Sequence, residues 1–265
     1  MAVLASEPFR TMLAWFESLP CGRRILNGLS GIHGVFATLE ESWSVARRAN
    51  PAGHEAPGEI PLHFELSKSL RASDYAVLFW LSKIRVEELK IFDFGGNAGN
   101  LYYSYLPYLG GEFRRIVWNV FDLPVVMDRG REIAAERGAT GLRFANSVEE
   151  AADCDVLLVS GALHYWEKSV KAFLDQFPRQ LRHVILNRTP VHDEQPSFFT
   201  VQRTEFCAVP CIVRNAAEIV DAFSARGYTM VDRWPALELS LKLPLFPRRT
   251  VPHYSGFYFR REEPR

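Results

Sequence analysis

The spacing of apolar residues changes near residue 88 of the chain. Before that point apolar positions recur every three or four residues, which predicts amphipathic helices. Thr38 with Glu41 three positions later is a capping-box pattern, which predicts the start of a helix that Asn50 and Pro51 end. Further helices are predicted at residues 9–19, 62–70 and 74–84. Residues 1–88 are therefore predicted to form a helical N-terminal extension.

From residue 89 onward, short runs rich in Val, Ile, Leu and Phe alternate with helical segments. This alternation is typical of an α/β fold in which helices cover both faces of a mostly parallel sheet. The predicted strands lie at residues 90–94, 116–121, 142–145, 156–160, 184–187, 228–234 and 254–259, with helices between the first six. Residues 235–253 contain four prolines and no convincing helix, so we expect the seventh strand to join the sheet antiparallel. Residues 89–265 are predicted to form this α/β domain.

Composition narrows the class of protein. The 265 residues include 31 basic and 31 acidic side chains, a net charge of zero, and 48% hydrophobic residues. This hydrophobic content argues against disorder, and the even charge balance argues against nucleic acid as a partner. No apolar run approaches the roughly 20 residues that a membrane-spanning helix needs, and no signal-like segment opens the chain. We therefore expect a cytoplasmic protein without a membrane span.

The four cysteines do not follow the spacing of a metal site. Cys207 and Cys211 are the only close pair, and neither Cys21 nor Cys154 belongs to a second pair that would complete a zinc site. We therefore expect free thiols and no metal.

A glycine-rich turn follows the first predicted strand of the sheet. The strand carries Asp93 near its end, and Gly95, Gly96 and Gly99 precede a helix that begins at Asn100. Glycines let a backbone pass close to a ligand, and a helix N-terminus offers unpaired N–H groups. A dinucleotide fingerprint needs glycines at the first, third and sixth positions of such a turn. Counting from Gly95 or from Gly96, the third and sixth positions hold other residues, so the spacing argues against a nicotinamide cofactor.

The same stretch resembles motif I of the class I S-adenosylmethionine-dependent methyltransferases, in which an acidic residue precedes a glycine-rich turn. Asp93, Gly95 and Gly99 match the acidic position and the first and last glycines, while Asn97 replaces a frequent middle glycine. The resemblance implies a Rossmann-like methyltransferase sheet and S-adenosylmethionine as the cofactor, with Gly96 also in contact with it. A carboxylate suits this cofactor because the cofactor has an α-amino group and no phosphate. An ordinary strand-to-helix turn is the alternative interpretation.

Polar residues also follow the second and third predicted strands. Asp122 and Leu123 come after the second strand, at the sheet edge where ligands of such folds bind. Asp122 is expected to accept the ribose hydroxyls with Leu123 beside the adenine, and a solubilising Asp is the alternative. After the third strand, Asn146 or Ser147 is expected to hydrogen-bond the adenine edge. Capping of a helix at residues 148–152 is the alternative, and we favour it for Ser147.

The exit of the fourth predicted strand carries the candidate base. Ser160 is expected to line the cofactor cleft, and His164 follows in the run Leu-His-Tyr-Trp. That run is similar to Leu-His-Asp-Trp in small-molecule O-methyltransferases, and the resemblance implies that His164 removes a proton from the substrate hydroxyl. An imidazole with an unperturbed pKa of about 6.5 suits this role at neutral pH. The alternative is a histidine packed between Leu163 and Tyr165.

Arg188 follows the fifth predicted strand and is expected to face the same cleft. Its planar guanidinium matches a carboxylate or phosphate on the substrate. A salt bridge to Asp193 or Glu194 is the alternative, and the sequence favours neither interpretation.

Most of the chain resembles a narrower bacterial methyltransferase family associated with surface-polysaccharide biosynthesis. The landmarks of this resemblance lie at residues 34–43, 93–96, 118–124, 160–165, 187–190 and 200–202. Members more often have Gln at the position of His164 and Glu at that of Asp122, so the resemblance supports the cofactor better than the base. It implies a small-molecule or saccharide-type acceptor.

Alternatives stay open at two levels. The N-terminal extension is expected either to close over the sheet edge as a lid or to form a homodimer interface. The function that the sequence favours is methyl transfer to an oxygen of a small-molecule or saccharide-type acceptor. A catalytically degenerate cofactor-binding module is the first alternative, and an NAD-type oxidoreductase is the second.

Overall fold

The computed structural model describes residues 32–49, 69–203, 207–243 and 246–262. The helix predicted at residues 9–19 and most of the one predicted at 62–70 lie outside the described residues. In chain order, the elements are β1 (Ile32–Phe36), α1 (Leu39–Ala49), α2 (Ala72–Ser82), β2 (Glu88–Phe94), α3 (Asn100–Leu109), β3 (Arg115–Phe121), α4 (Pro124–Glu136), β4 (Leu142–Phe144), β5 (Val156–Ser160), α5 (Val170–Asp175), β6 (His183–Thr189), β7 (Val191–His192), β8 (Phe198–Arg203), β9 (Ala208–Asn215), α6 (Ala216–Ser224), β10 (Tyr228–Ala236) and β11 (Tyr254–Arg261). Short 3₁₀ helices lie at Val148–Asp153, Leu163–Tyr165 and Pro247–Arg249.

A seven-stranded sheet forms the centre of the fold, in the order β10-β11-β6-β5-β2-β3-β4. β11 runs antiparallel to both of its neighbours, and the other neighbouring strands pair in parallel. The predicted α/β fold with a mostly parallel seven-stranded sheet and an antiparallel last strand is confirmed. Because the parallel strands all end at one edge, the residues after β2, β3, β5 and β6 lie close together there.

Helices cover both faces of this sheet, and each face has its own apolar core. On one face, Phe173 of α5 and Phe223 of α6 pack on the strands, and the ring of Phe223 stacks on that of Phe259 at 3.9 Å. On the other face, Leu81 of α2 and Tyr105 of α3 are fully buried against the strands. All seven residues of β6 are buried, as expected for a central strand covered on both sides.

The helix predicted after Thr38 is present as α1, and its capping box is formed. Thr38 Oγ1 accepts the N–H of Glu41 at 3.2 Å, and the Glu41 carboxylate accepts the N–H of Thr38 at 3.4 Å. Such reciprocal bonds satisfy N–H groups that a helix start otherwise leaves unpaired. The helix packs on β8 and β9, where Ala46, Val201 and Ala208 are buried together.

A second sheet of four strands, in the order β1-β8-β9-β7, was not predicted. β8 and β9 form an antiparallel pair, β1 adds to β8 antiparallel, and β7 adds to β9 in parallel. The N-terminal extension is thus not helical throughout, and α6 is preceded by strands that the sequence pattern did not reveal. The physical reason is that β1 is completed by hydrogen bonds to a segment far along the chain, which local periodicity does not report. No helix among the described residues is long and apolar enough to cross a membrane.

Candidate functional site

The loop after β2 passes close to the exit of β5. Gly95 has a left-handed φ of 72°, and its N–H donates to the carbonyl of Phe121 at 2.8 Å. A Cβ at Gly95 would lie 2.3 Å from the Cβ of Ala162, so a side chain there would force the two segments apart. Asn97 is also left-handed, with a φ of 53°, and asparagine tolerates this region better than most residues. Gly99 then occupies the N-cap of α3 with a φ of 85°.

Asp93 lies fully buried beneath this loop. A Cβ at Gly96 would lie 2.5 Å from Asp93 Oδ2, so the loop backbone packs directly on the carboxyl group. Asp93 Oδ2 accepts the Nε1–H of Trp118 at 2.9 Å, whereas Oδ1 has no hydrogen-bond partner in the described part of the chain. Burial raises the pKa of Asp93 to about 7. The hydrogen bond from Trp118 lowers the pKa, the negative charge of Asp122 raises it, and the positive charge of Arg188 lowers it.

Asp122 joins the end of β3 to the glycine loop. Its Oδ2 accepts the backbone N–H of Asn97 at 2.7 Å, and its Oδ1 accepts the N–H of Leu123 at 2.7 Å. Leu123 stands at the N-cap of α4, with Pro124 at the first helical position. The structure therefore brings together the acidic residue, the glycine loop and the start of α4, as a site at this edge requires.

Asn146 and Ser147 follow β4 on the outer side of the same edge. The backbone N–H of Asn146 donates to Glu150 Oε1 at 2.7 Å, and Asn146 Oδ1 accepts Arg131 Nη2 at 3.5 Å. Ser147 stands at the N-cap of a 3₁₀ helix rather than an α-helix, and its hydroxyl bonds the Glu149 carboxylate instead of a backbone N–H. That bond lowers the pKa of Glu149. A contact of either residue with an adenine stays a prediction.

The chain leaves β5 next to open space. Ser160 ends the strand, and its buried Oγ has no hydrogen-bond partner among the described residues. The N–H of Gly161 donates to the carbonyl of Asn187 at 2.9 Å. A Cβ at Gly161 would meet no atom within 4 Å, which shows that this turn borders a gap.

His164, the candidate base, lies in the 3₁₀ helix that follows and is 4% exposed. Its ring centre is 4.0 Å from that of Tyr165 and 6.0 Å from that of Tyr254. Tyr165 in turn donates its hydroxyl to Gln202 Oε1 on β8 at 2.6 Å, which ties this helix to the second sheet. The packed histidine that was the alternative interpretation describes this environment, and the role of His164 as base stays a prediction.

Arg188 makes an ion pair, but not with the acids that the sequence suggested. Its guanidinium Nη2 bonds Asp74 Oδ1, and its Nε donates to Ser73 Oγ at 3.3 Å and lies 3.6 Å from Glu238 Oε1. Asp193 instead forms a two-pronged pair with Arg233. The alternative interpretation named Asp193 or Glu194 as the partner of Arg188, and the structure gives Asp74 instead, which is buried in the first turn of α2.

Among the described residues, four buried oxygens without a hydrogen-bond partner lie at the carboxyl edge of the sheet, and as a set they suit a polar ligand. They are Asp93 Oδ1, Asn100 Oδ1, Ser160 Oγ and Thr189 Oγ1. An unsatisfied buried polar group costs about 1–3 kcal/mol, so four at one edge favour a ligand that supplies hydrogen-bond donors. A ligand with amino and hydroxyl groups fits this set better than a phosphate does, because a phosphate only accepts at neutral pH and would lie beside a buried carboxyl group.

Sequence reasoning did not identify Asp74, Asn100 or Thr189 as residues of this edge. Asp74 could have been recognised as a helix-capping residue, because it lies in the first turn of α2. Its carboxylate accepts the N–H of Arg71 there. Thr189 follows Arg188 directly, and Asn100 begins α3. Their burial without partners is a property of the folded chain and leaves no mark in a single sequence.

No group of three or more His, Cys, Asp or Glu side chains within the described ranges is arranged to hold a metal ion. Cys154, Cys207 and Cys211 are buried and form no disulfide with one another. Cys21 lies outside the described residues.

A scan against models of protein families and a search of curated proteins find no match to this chain. Solved structures do match. The 1,6-didemethyltoxoflavin-N1-methyltransferase of Burkholderia thailandensis, solved with S-adenosylhomocysteine, is 15% identical over 87% of this chain and 93% of its own, with a TM-score of 0.50. The mitomycin 7-O-methyltransferase MmcR is 16% identical over 98% of this chain and 75% of its own, with a TM-score of 0.47.

The magnesium protoporphyrin IX methyltransferase of Synechocystis PCC 6803, solved with bound S-adenosylmethionine, is 14% identical over 85% of this chain and 92% of its own, with a TM-score of 0.47. At these identities the likeness concerns the fold. The arrangement of the seven strands, with the antiparallel strand next to one edge, is the Rossmann-like fold of methyltransferases.

Proposed function

We propose that this protein is an S-adenosylmethionine-dependent methyltransferase that acts on an oxygen of a small-molecule or saccharide-type acceptor. The observation that carries the proposal is the Asp93 carboxyl group, which is buried beneath a glycine loop and has one oxygen without a partner among the residues that the structure describes. A cationic N–H donor is what that oxygen lacks, and the α-ammonium of S-adenosylmethionine is such a donor. The methyltransferase fold and the matched structures that contain this cofactor or its product support the same proposal.

In this proposal the cofactor is held by residues from several strand ends. Asp93 and the loop of Gly95, Gly96 and Gly99 bind the amino-acid end, and Asp122 accepts hydroxyl groups of the ribose. The remaining contacts are assigned to Leu123, Asn146, Ser147 and Ser160. Asp122 suits this role because two N–H groups already orient its carboxylate, which leaves further lone pairs for a ligand.

When bound, S-adenosylmethionine supplies an electrophilic methyl group. The residues of this chain contribute orientation and exclusion of water, and holding two reactants in line is worth up to about 7–11 kcal/mol of a barrier. His164 follows the gap beside Gly161 by three positions, and in this proposal its ring nitrogen takes the proton of the acceptor hydroxyl. Arg188 has no part in acceptor binding here, because Asp74 and Ser73 already bond its guanidinium.

The acceptor side of the site is assigned to the second sheet and to residues 1–88, which we propose to be an extension that covers the edge of the domain at residues 89–265. Trp43 on α1 donates its Nε1–H to Glu167 at 2.7 Å, close in sequence to His164. This contact joins α1 to the segment that follows His164. A cytoplasmic location, and a link to surface-polysaccharide biosynthesis, belong to this proposal as well. Whether the extension also forms a homodimer interface stays a prediction.

A catalytically degenerate cofactor-binding module is the second candidate function. The observation that favours it is the burial of His164, which is 4% exposed and packed against two tyrosine rings. A base that does not reach its substrate does not remove a proton. Under this alternative the chain binds the cofactor and transfers no methyl group.

Calorimetric titration of the full chain with S-adenosylhomocysteine and, separately, with NAD tests the proposal. We expect S-adenosylhomocysteine to bind and Asp122→Ala to weaken that binding by about 10–100-fold, because a hydrogen bond to a charged group contributes about 1.5–3 kcal/mol. Glu132→Ala is the matched control, since Glu132 pairs with Arg129 on the exposed side of α4. Tighter binding of NAD would overturn the proposal. Binding without methyl transfer to any small-molecule or saccharide pool would favour the degenerate module.

A further inference from the structure

Asp74 lies where three elements of the fold meet. Its carboxylate bonds the guanidinium of Arg188 at the end of β6, the hydroxyl of Tyr105 on α3 at 2.5 Å and the backbone N–H of Arg71 before α2 at 2.8 Å. Asp74 is 2% exposed and Arg188 is 9% exposed, so water does not screen this pair. Removing one partner of such a pair leaves the other charge buried and uncompensated.

Ser73 extends the same contact to β10. Its hydroxyl donates to Glu238 Oε1 at 2.5 Å and accepts the Nδ2–H of Asn187 at 3.3 Å. Asn187 Oδ1 in turn accepts the Nε1–H of Trp234 at 3.1 Å. The start of α2 is therefore bonded to β6 and to the segment that follows β10, as well as to α3.

A chain of contacts leads from Asp74 to Asp93 through two aromatic rings. Tyr105, which bonds Asp74, packs edge-to-face on Trp118 with ring centres 5.9 Å apart. Trp118 donates its Nε1–H to Asp93 Oδ2 at 2.9 Å. All four residues are buried, so a displacement of Tyr105 is transmitted to the donor that holds Asp93.

A second connection runs through the charge of Arg188. Arg188 adopts a left-handed φ of 53°, which is uncommon for a side chain of this size. The positive charge of Arg188 lowers the pKa of Asp93, as the hydrogen bond from Trp118 does. Burial raises this pKa and is the largest effect. The other ionisable groups that act on this region are Asp122 at the end of β3, Tyr105 on α3, Arg71 before α2 and Glu238 after β10.

We infer that Asp74 is a positioning residue for Asp93, acting through Tyr105 with Trp118 and through Arg188. Residues 69–82 are then a fixed part of the site, and not a segment that opens and closes. The inference rests on the proposed function for the role of Asp93 in cofactor binding. The linkage between Asp74 and Asp93 itself needs no cofactor, and it is measured without one.

The test follows the indole N–H resonance of Trp118 by NMR while the pH of the free, full-length protein is varied. The resonance is assigned by its loss in Trp118→Phe. Asp74→Asn removes the charge that compensates Arg188, so we expect the midpoint of the Trp118 titration to move to lower pH. Arg188→Gln removes the positive charge, so we expect the midpoint to move to higher pH. Shifts of about one pH unit correspond to about a tenfold change in the proton affinity of Asp93.

Asp193→Asn is the matched control, because Asp193 pairs with Arg233 at an exposed position away from this network. We expect that variant to leave the Trp118 midpoint unchanged. Midpoints that move in the same direction in Asp74→Asn and Arg188→Gln, or that do not move at all, would overturn the inference. A purely structural role predicts the first of these results, since loosening the packing hydrates Asp93 in both variants.

Glu238→Gln keeps the test decisive if Asp74→Asn does not fold. Glu238 is more exposed than Asp74, and its carboxylate lies 3.6 Å from Arg188 Nε. We expect a smaller shift to lower pH, and an upward shift would count against the inference. Titration with S-adenosylhomocysteine at about pH 6 and about pH 8 then separates the two proposals. Arg188→Gln is expected to bind about tenfold more weakly at the lower pH and to recover at the higher one, whereas a wild-type chain that does not bind overturns only the proposed function.

Discussion

The carboxylate of Asp122 accepts the backbone N–H of Asn97, so the acidic residue after β3 also fixes the shape of the loop after β2. A ligand hydroxyl that reaches Asp122 shares this carboxylate with the loop. Under the proposed function, this one side chain links cofactor affinity to loop conformation. Substitutions in the loop are then expected to affect binding even where they do not touch the ligand.

Gly95→Ala is expected to destabilise the protein by about 2–6 kcal/mol. Its Cβ would lie 2.3 Å from the Cβ of Ala162, and its φ of 72° strains any other residue. Overpacking and backbone strain each cost about 1–3 kcal/mol. Gly138→Ala is the matched control, because Gly138 has a φ of 61° and no atom within 4 Å of a Cβ. Urea unfolding measures both, and equal losses would show that the approach to Ala162 does not matter.

Asp93→Asn is expected to remove part of the pH dependence of stability. The folded carboxyl group has a pKa of about 7 against an ordinary value of 3.8, because burial disfavours its charged form, so the folded protein keeps a proton that the unfolded chain releases. The stabilising contribution is full below about pH 4 and is lost as the pH rises through about 7, a change of about 4 kcal/mol.

The free energy of unfolding of the wild type is therefore expected to fall more steeply than that of Asp93→Asn between about pH 5 and about pH 7. Urea unfolding at several pH values provides the comparison. Parallel curves for the two proteins would contradict a raised pKa of Asp93.

His164→Gln is expected to slow methyl transfer by about 10²–10⁴-fold and to leave the affinity for S-adenosylhomocysteine within about twofold. Glutamine fills a similar volume but takes up no proton at neutral pH. His183→Gln is the control, because His183 begins β6, at the end of that strand opposite the candidate site, and its ring bonds the Tyr258 hydroxyl at 2.7 Å. Single-turnover rates with a methyl acceptor decide the outcome. An unchanged rate in His164→Gln would remove the base from the mechanism.

Cys154 and Cys211 are expected to resist alkylation in the folded protein. Burial raises the pKa of Cys211 to about 12 and that of Cys154 to about 11, so almost no reactive thiolate is present near pH 8. Mass spectrometry of the labelled peptides, with and without urea, measures the protection. Equal labelling rates in both conditions would contradict the burial of these thiols.

The sheet and its edge followed from the sequence because both leave local signals. The runs that form β2, β3, β5 and β6 are apolar enough to be recognised individually. Asp93 and Asp122 stand at or just after the ends of two of these strands, so their proximity follows from the parallel order alone.

Contacts between distant parts of the chain could not be predicted from the sequence. Asp74 and Arg188 are far apart in sequence, and the residues around each of them do not indicate that the two form an ion pair. The sequence placed Arg188 at the correct edge but not its partner, because side-chain direction is set by the left-handed backbone and by the packing of α2. The pairing of β1 with β8 was missed for the same reason.

The pairing of β1 with β8 has a consequence for biosynthesis. Ile32 lies opposite Gln202, so the chain as far as Gln202 must leave the ribosome before β1 can pair with β8. Closing so large a loop costs conformational entropy and is therefore slow. Until β8 is available, the backbone groups of β1 lack their partners in the sheet. A shortened chain that lacks β1 would leave β8 as a bare sheet edge, and such edges promote aggregation. We therefore expect β1 to join its sheet late in folding and to protect the edge of β8.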